Sequence, residues 1–149
     1  MFSTVVVGTD SSAIAEHAVR VAAEMAAQGN GTLHVVAAYR TLSPAEVLSV
    51  RSSLPEEFHD AIDAVSRVDD TLASAARIGA RHGVTVTRHP IEGDATEALL
   101  DVAEEVDADL IVVGSRGLHG LARMLGSVST KVVHHSPRSI LVVHPDRPK

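Results

Sequence analysis

Residues 109–120 read Asp109-Leu-Ile-Val-Val-Gly-Ser-Arg-Gly-Leu-His-Gly120, and the segment Gly126-Ser-Val-Ser129 follows shortly after. The apolar run that ends at Val113 predicts a strand buried on both faces, as is typical of parallel sheets. Glycines directly beyond such a strand let the backbone turn and let a ligand approach closely. A helix that starts after them offers unpaired N–H groups and the positive end of its dipole. This order of elements predicts a site for a phosphate-bearing ligand, with a nucleotide as the first hypothesis.

Strand and helix patterns alternate along the whole chain. Five short apolar runs predict β-strands, at residues 4–8, 32–39, 84–87, 109–113 and 139–144. Helical spacing of apolar residues predicts helices between them, after the Asp10-Ser11-Ser12 cap, over 56–82, after the Asp94/Glu97 capping box and from Ser127 to Ser136. Right-handed crossovers then make an α/β fold, a doubly wound, Rossmann-like, five-stranded parallel sheet of order 3-2-1-4-5 with helices on both faces. We expect one domain over residues 1–149.

Residues 40–56 show no clear periodicity of apolar residues, and the turn-forming segments 40–44 and 51–55 bracket them. This stretch predicts a long, mobile connection, which in a compact domain is often functional. A solvated and partly helical spacer is the alternative.

Composition excludes several classes of protein. The chain has no cysteine, so disulfides and thiolate chemistry are absent. A net charge of −6 argues against nucleic acid as the main partner, since phosphate backbones need a basic face. Apolar runs stay below the roughly 18 residues that a membrane span needs. With no leader-like start, we expect no membrane association and a cytoplasmic location.

The strand order places the ligand site. In open α/β sheets a ligand binds beyond the carboxyl ends of the strands, where the strand order reverses. In this order the reversal lies between the first and fourth strands. The loops Gly8–Ser11 and Gly114–Gly120 are therefore expected to share one crevice.

Each candidate residue has a physical role at such a site. Gly114, Gly117 and Gly126 would bring backbone N–H groups close to ribose and phosphates, and Ser127 and Ser129 would donate hydroxyl and backbone hydrogen bonds to phosphate oxygens. As single residues these glycines also fit ordinary turn chemistry, and Ser127 fits a helix cap.

Four further residues complete this picture. Thr9 and the backbone near Ala38 would line a base pocket. Asp10 would accept from a ribose hydroxyl or hold Mg²⁺ against the phosphates through a water, although a helix cap is its simpler role. Arg116 would add positive charge or point into solvent.

At these residues the chain resembles the universal stress protein family, in its nucleotide-binding branch. The opening Thr4-Val-Val-Val-Gly-Thr-Asp-Ser-Ser12 is similar to the family's first-strand signature. The segments Gly114–Leu118, Gly126–Val132 and Ile140–His144 are similar to its ATP-binding tail. The resemblance implies a doubly wound fold, bound ATP, a homodimer paired through strand 139–144 and a role in stress response or dormancy.

The resemblance also assigns residues. It implies that Gly8, Thr9 and Asp10 contact base, ribose or Mg²⁺, that Val113, Gly114 and Gly117 cradle the ribose and phosphates, and that Gly126, Ser127, Val128 and Ser129 wrap the triphosphate. The chain departs from the family pattern at two points. Eight residues rather than nine separate Gly117 from Gly126, and Asp10-Ser11-Ser12 replaces the usual Asp-Gly-Ser. Proteins of this kind also bind AMP or cyclic AMP, so the resemblance implies these two as alternative ligands.

Three functions stay open at this point. The first is an ATP-binding stress-response regulator with at most slow hydrolysis or autophosphorylation. The second is an enzyme of the adenine-nucleotide α-hydrolase type, and the third is a dimeric interaction module without nucleotide.

Among nine histidines, the adjacent His134 and His135 diverge by about 100° on a helix and do not share a metal ion.

Overall fold

The computed structural model describes residues 1–40, 44–53, 64–116 and 125–146. The elements alternate along the chain as β1 (Thr4–Gly8), α1 (Ala13–Gln28), β2 (Thr32–Tyr39), α2 (Pro44–Ser53), α3 (Ala64–Arg81), β3 (Thr85–Glu92), α4 (Ala95–Glu105), β4 (Leu110–Gly114), α5 (Ser127–His135) and β5 (Ile140–Val143).

The five strands form one sheet in the order β3-β2-β1-β4-β5, and every neighbouring pair is parallel. The predicted fold class and strand order are therefore confirmed. β1 lies at the centre, where Val7 stands beside Val35 of β2 and Val112 of β4. All three side chains are fully buried, which is why β1 and β4 read as continuous apolar runs.

Alternate residues of the strands serve two separate cores. Val5 and Val7 pack with α1 and α3 on one face of the sheet. Val6 and Val113 pack with α4 and α5 on the other face. Valine, leucine, isoleucine and alanine fill both layers, as the aromatic content of 2% predicts.

One local prediction needs correction. β3 runs over residues 85–92 rather than 84–87, because its second half carries Arg88 and Pro90 on an exposed sheet edge, where no apolar signal marks a strand. Residues 44–53 form helix α2, as the partly helical alternative predicts, whereas the mobility expected for this connection stays a prediction. Residues 41–43 and 54–63 lie outside the described residues.

The predicted helix starts agree with the hydrogen bonds. Ser12 caps α1 by accepting from the Ala15 N–H at 3.2 Å. Asp94 caps α4 by accepting from the Glu97 N–H at 3.1 Å. Across the described ranges, no helix combines the length and the apolar character that a membrane crossing requires.

Candidate functional site

A cavity of about 400 Å³ lies beyond the carboxyl ends of β1 and β4, where the strand order reverses. This volume falls within the roughly 300–1,000 Å³ that small-molecule sites occupy. The cavity lies on the α4/α5 face, since Val36 and Val113 of that core line it. The position matches the general rule for ligand sites in open α/β sheets.

The structure brings eleven of the twelve predicted site residues together around this cavity. They are Gly8, Thr9, Asp10, Ala38, Val113, Gly114, Arg116, Gly126, Ser127, Val128 and Ser129. Gly117 lies outside the described residues. The roles of all twelve in binding stay a prediction, although their convergence from three distant stretches of sequence is a structural fact.

Four lining residues escaped the sequence analysis, namely Ala15, Val36, Ala95 and Leu99. Their apolar side chains have the same signature as core residues, so no local pattern distinguishes them. The strand period offered one clue: Val36 lies two residues before Ala38 and therefore faces the same side of β2.

The apolar wall depends on a glycine at the end of β1. A Cβ atom added at Gly8 would lie 3.0 Å from one terminal carbon of Leu99 and 3.1 Å from the other. Glycine therefore lets the buried Leu99 side chain of α4 cover the end of the strand. Gly114 plays a similar part at β4, where a Cβ would meet Ile14 of α1 at 3.1 Å.

The loop after β1 forms a tight turn that carries the site's carboxylate. The Thr9 N–H donates to the Val36 carbonyl at 2.9 Å, which holds the loop against β2. The Asp10 carboxylate accepts from the Ser12 N–H at 3.0 Å. Ser11 between them adopts φ +66°, a left-handed conformation that costs a non-glycine residue energy. Asp10 is exposed at the cavity despite its hydrogen bond.

Helix α5 points its amino end into the cavity. Its N-cap residue is Gly126, and no side chain caps this end. The N–H groups of the first turn, at Ser127 and Val128, are therefore available to an anion, and the helix dipole favours negative charge there.

The Ser129 hydroxyl contacts two backbone carbonyls at the start of α5. Its Oγ lies 3.2 Å from the Ser115 carbonyl oxygen and 3.0 Å from the Gly126 carbonyl oxygen. Ser129 is 2% exposed, and its hydroxyl donates within the protein. Its contact with a phosphate stays a prediction. The Gly126 N–H also donates to the Ser115 carbonyl, at 2.5 Å. Together these bonds fix the start of α5 against the end of β4.

The charges at the site are sparse. Among the described lining residues, Asp10 supplies the negative charge and Arg116 the positive charge. In residues 1–40, 44–53, 64–116 and 125–146, no three His, Asp or Glu side chains are arranged to hold a metal ion. A divalent cation at this cavity would therefore depend on Asp10 together with ligand oxygens and water.

Comparison with known proteins agrees with this architecture. The family model described as "Universal stress protein family" matches residues 1–144. Universal stress protein Rv1636 of Mycobacterium tuberculosis is 34% identical over 147 residues, covering 96% of this chain and 97% of the relative. A relative from Mycolicibacterium smegmatis is longer: the match covers 95% of this chain and 48% of that protein at 32% identity.

Two solved structures extend the comparison. A universal stress protein crystallised in complex with cAMP is 32% identical, with a TM-score of 0.70 and coverage of 97% of this chain and 98% of that one. UspA from Lactobacillus plantarum has a TM-score of 0.76 at 24% identity and covers 95% of this chain and 97% of its own, which supports the fold. The sheet order, the position of the cavity and these matches lead to one conclusion: the chain belongs to the universal stress protein family.

Proposed function

We propose that this chain binds an adenine nucleotide in the cavity between β1, β4, α4 and α5, and that it acts as a stress-response regulator. ATP with Mg²⁺ is the proposed ligand, with AMP and cyclic AMP as the alternatives. The observation that carries the proposal is the convergence of an apolar pocket and an uncapped helix amino end in one cavity.

The two ends of the cavity suit the two ends of a nucleotide. Val36, Ala38 and Leu99 form an apolar wall that fits the faces of a purine base. The amino end of α5 lies among the other lining residues and suits phosphate. The 32% identical relative crystallised with cAMP, which supports an adenine nucleotide as the ligand class here.

We further propose that two copies of the chain pair through β5. The Ser139 carbonyl accepts from Ile111 of β4, and the Val143 carbonyl accepts from Ser115 directly after β4. The backbone groups of Ile140 and Val142 therefore face the open edge of the sheet. An apolar edge strand with free backbone groups is prone to pair with another strand. β3 at the opposite edge carries Arg88 and Pro90, which discourage pairing. A two-fold dimer through β5 covers the more hydrophobic edge.

Turnover is expected to be slow at most. Efficient hydrolysis needs a positioned base and stabilisation of the developing charge. In the described part of the cavity lining, Asp10 is the sole carboxylate and it already accepts a backbone hydrogen bond. A nucleotide-dependent change in partner binding therefore explains the site better than an α-hydrolase-type reaction does.

Equilibrium binding of labelled ATP, with and without Mg²⁺ and in competition with AMP, cyclic AMP and GTP, tests the proposal. The variant Ala38→Leu fills the cavity and should weaken every adenine nucleotide. Thr87→Leu introduces the same side chain on the exposed edge strand, away from the cavity, and should leave binding unchanged. Saturable binding that prefers adenine supports the proposal. Absence of binding up to millimolar nucleotide overturns it and favours the interaction module.

A further inference from the structure

Two histidines from neighbouring strands meet on the α4 face of the sheet, away from the nucleotide cavity. His34 of β2 and His89 of β3 place Nδ1 and Nε2, respectively, 2.9 Å apart. His89 stands beside Val36 in the strand register, and His34 lies two residues before Val36 on the same face. His34 lies four residues before the cavity-lining Ala38, which is roughly 13 Å along an extended strand.

The relative position of the rings is informative. Their centroids are 5.2 Å apart and their planes are tilted by 37°. The centroid separation exceeds the nitrogen separation by about twice the radius of an imidazole ring, so the two nitrogens lie close to the line that joins the ring centres. One ring therefore donates an N–H···N hydrogen bond to the other, and the tautomers set the direction.

The same ring separation suits a shared metal ion. Two imidazoles bound to one tetrahedral ion at 2.0–2.1 Å have ring centres about 5.2 Å apart and nitrogens about 3.3 Å apart. The ring centres here already have that spacing. Each ring needs to turn by roughly 35° for both lone pairs to point at one ion.

We propose that His34 Nδ1 and His89 Nε2 chelate a borderline transition-metal dication, of which Zn²⁺ is the probe of choice. Water completes the coordination, since the described residues provide no third side chain in ligand position. Neutral imidazole is a preferred ligand for such ions. No net proton is released from a neutral pair, because one ring moves its proton from the bridging nitrogen to its other nitrogen.

Burial and the charges around His34 and His89 favour a bound metal dication. Burial lowers the pKa of His34, the neighbouring His89 lowers it further, and Glu105 of α4 acts in the opposite direction. Burial likewise lowers the pKa of His89 against the effect of Glu105. Both rings are therefore neutral near pH 7 and available as ligands. Glu105 places a negative charge near the pair, which offsets the charge of a bound dication.

Zinc titration of the nucleotide-free protein, followed by calorimetry, tests the proposal. We expect one saturable site per chain, with affinity reduced at least about tenfold in His34→Gln and in His89→Gln. His135→Gln, an exposed histidine on α5, is the matched control and should retain the site. Equal affinity and stoichiometry in the unmodified protein and both pair variants would overturn the proposal and leave the contact as a hydrogen bond.

A second measurement keeps the test independent of how the variants fold. In the unmodified protein labelled with ¹⁵N-histidine, saturating Zn²⁺ should shift the ring-nitrogen resonances of both His34 and His89. Shifts confined to other histidines would overturn the proposal. Neither readout depends on nucleotide binding, so this inference and the proposed function can fail separately.

Discussion

The Ser129 hydroxyl oxygen lies 3.2 Å from the carbonyl oxygen of Ser115, which joins the first turn of α5 to the chain leaving β4. The same carbonyl accepts from the Gly126 N–H. The buried serine therefore positions the amino end of α5 at the cavity. A ligand that uses these N–H groups depends on a hydroxyl that never needs to contact it.

Ser129→Ala tests this positioning role. The variant loses a buried hydrogen bond, which should lower the free energy of unfolding by about 0.5–1.5 kcal/mol. Nucleotide affinity should fall as well, because the N–H groups of the helix shift. Urea denaturation and nucleotide titration measure the two effects. Ser127→Ala removes an exposed hydroxyl at the same helix end and should leave stability unchanged; equal stability losses in the two variants would contradict this assignment.

Asp10→Asn separates a magnesium role from a ribose role. Asparagine retains an oxygen for the Ser12 N–H, so the turn should persist while the charge is lost. We expect the advantage that Mg²⁺ confers on ATP binding to disappear and AMP affinity to stay unchanged. Asp101→Asn on the exposed face of α4 is the charge-matched control. Equal losses for ATP and AMP would instead favour a contact between Asp10 and the ribose.

Ser11→Gly relieves the left-handed backbone next to Asp10. Ser11 has φ +66°, which glycine adopts without a steric penalty. The relief of this steric cost should exceed the conformational entropy that glycine loses on folding. We therefore expect the free energy of unfolding to rise by about 0.5–1 kcal/mol. Ser74→Gly within α3 should have the opposite sign, since a helix interior disfavours glycine by about 1 kcal/mol. A destabilised Ser11→Gly protein in thermal or urea unfolding would show that the turn depends on the serine side chain.

Val142→Pro tests the proposed dimer edge. Proline removes one outward-facing N–H of β5, whereas Val142→Ala removes apolar volume and keeps that N–H. Sedimentation equilibrium should show a dimer for the unmodified chain and Val142→Ala, and a shift toward monomer for Val142→Pro. A monomer at micromolar concentration in the unmodified chain would rule out pairing through this strand.

Asp109→Asn tests how acid weakens the fold. Some desolvation of the exposed Asp109 carboxylate opposes its ionisation, but hydrogen bonds from the Ser3 N–H, the Thr4 N–H and the Ser3 hydroxyl outweigh this effect and hold the pKa of Asp109 below its ordinary value. A carboxyl group with a lowered pKa in the folded state stabilises the fold at pH values above its unfolded-state pKa. This stabilisation is lost as the pH falls through the folded-state pKa. The difference in unfolding free energy between the unmodified protein and Asp109→Asn should therefore stay constant from neutral pH down to about pH 4 and narrow as the pH falls further. A difference that does not narrow below about pH 4 would assign the effect to packing.

Sequence alone predicted the sheet because its signals are local. Continuous valine-rich runs at β1 and β4 need no tertiary information, and the caps at Ser12 and Asp94 act on adjacent N–H groups. Strand order followed from general rules of chain connection, and it brought eleven predicted residues to one cavity. The single domain, the cytoplasmic location and the binding roles of all twelve site residues stay predictions.

Other features were decided only by the tertiary structure, because each depends on which distant groups come into contact. Leu99 lines the cavity because Gly8 leaves room for it, although both residues look like ordinary core or turn positions in sequence. The Ser129 hydroxyl is directed inward by carbonyls of Ser115 and Gly126. His34 and His89 are separated by 55 positions, and parallel pairing of β2 with β3 brings their nitrogens together. Periodicity determines which face of the sheet a residue occupies, whereas the tertiary packing determines which residues it contacts on that face.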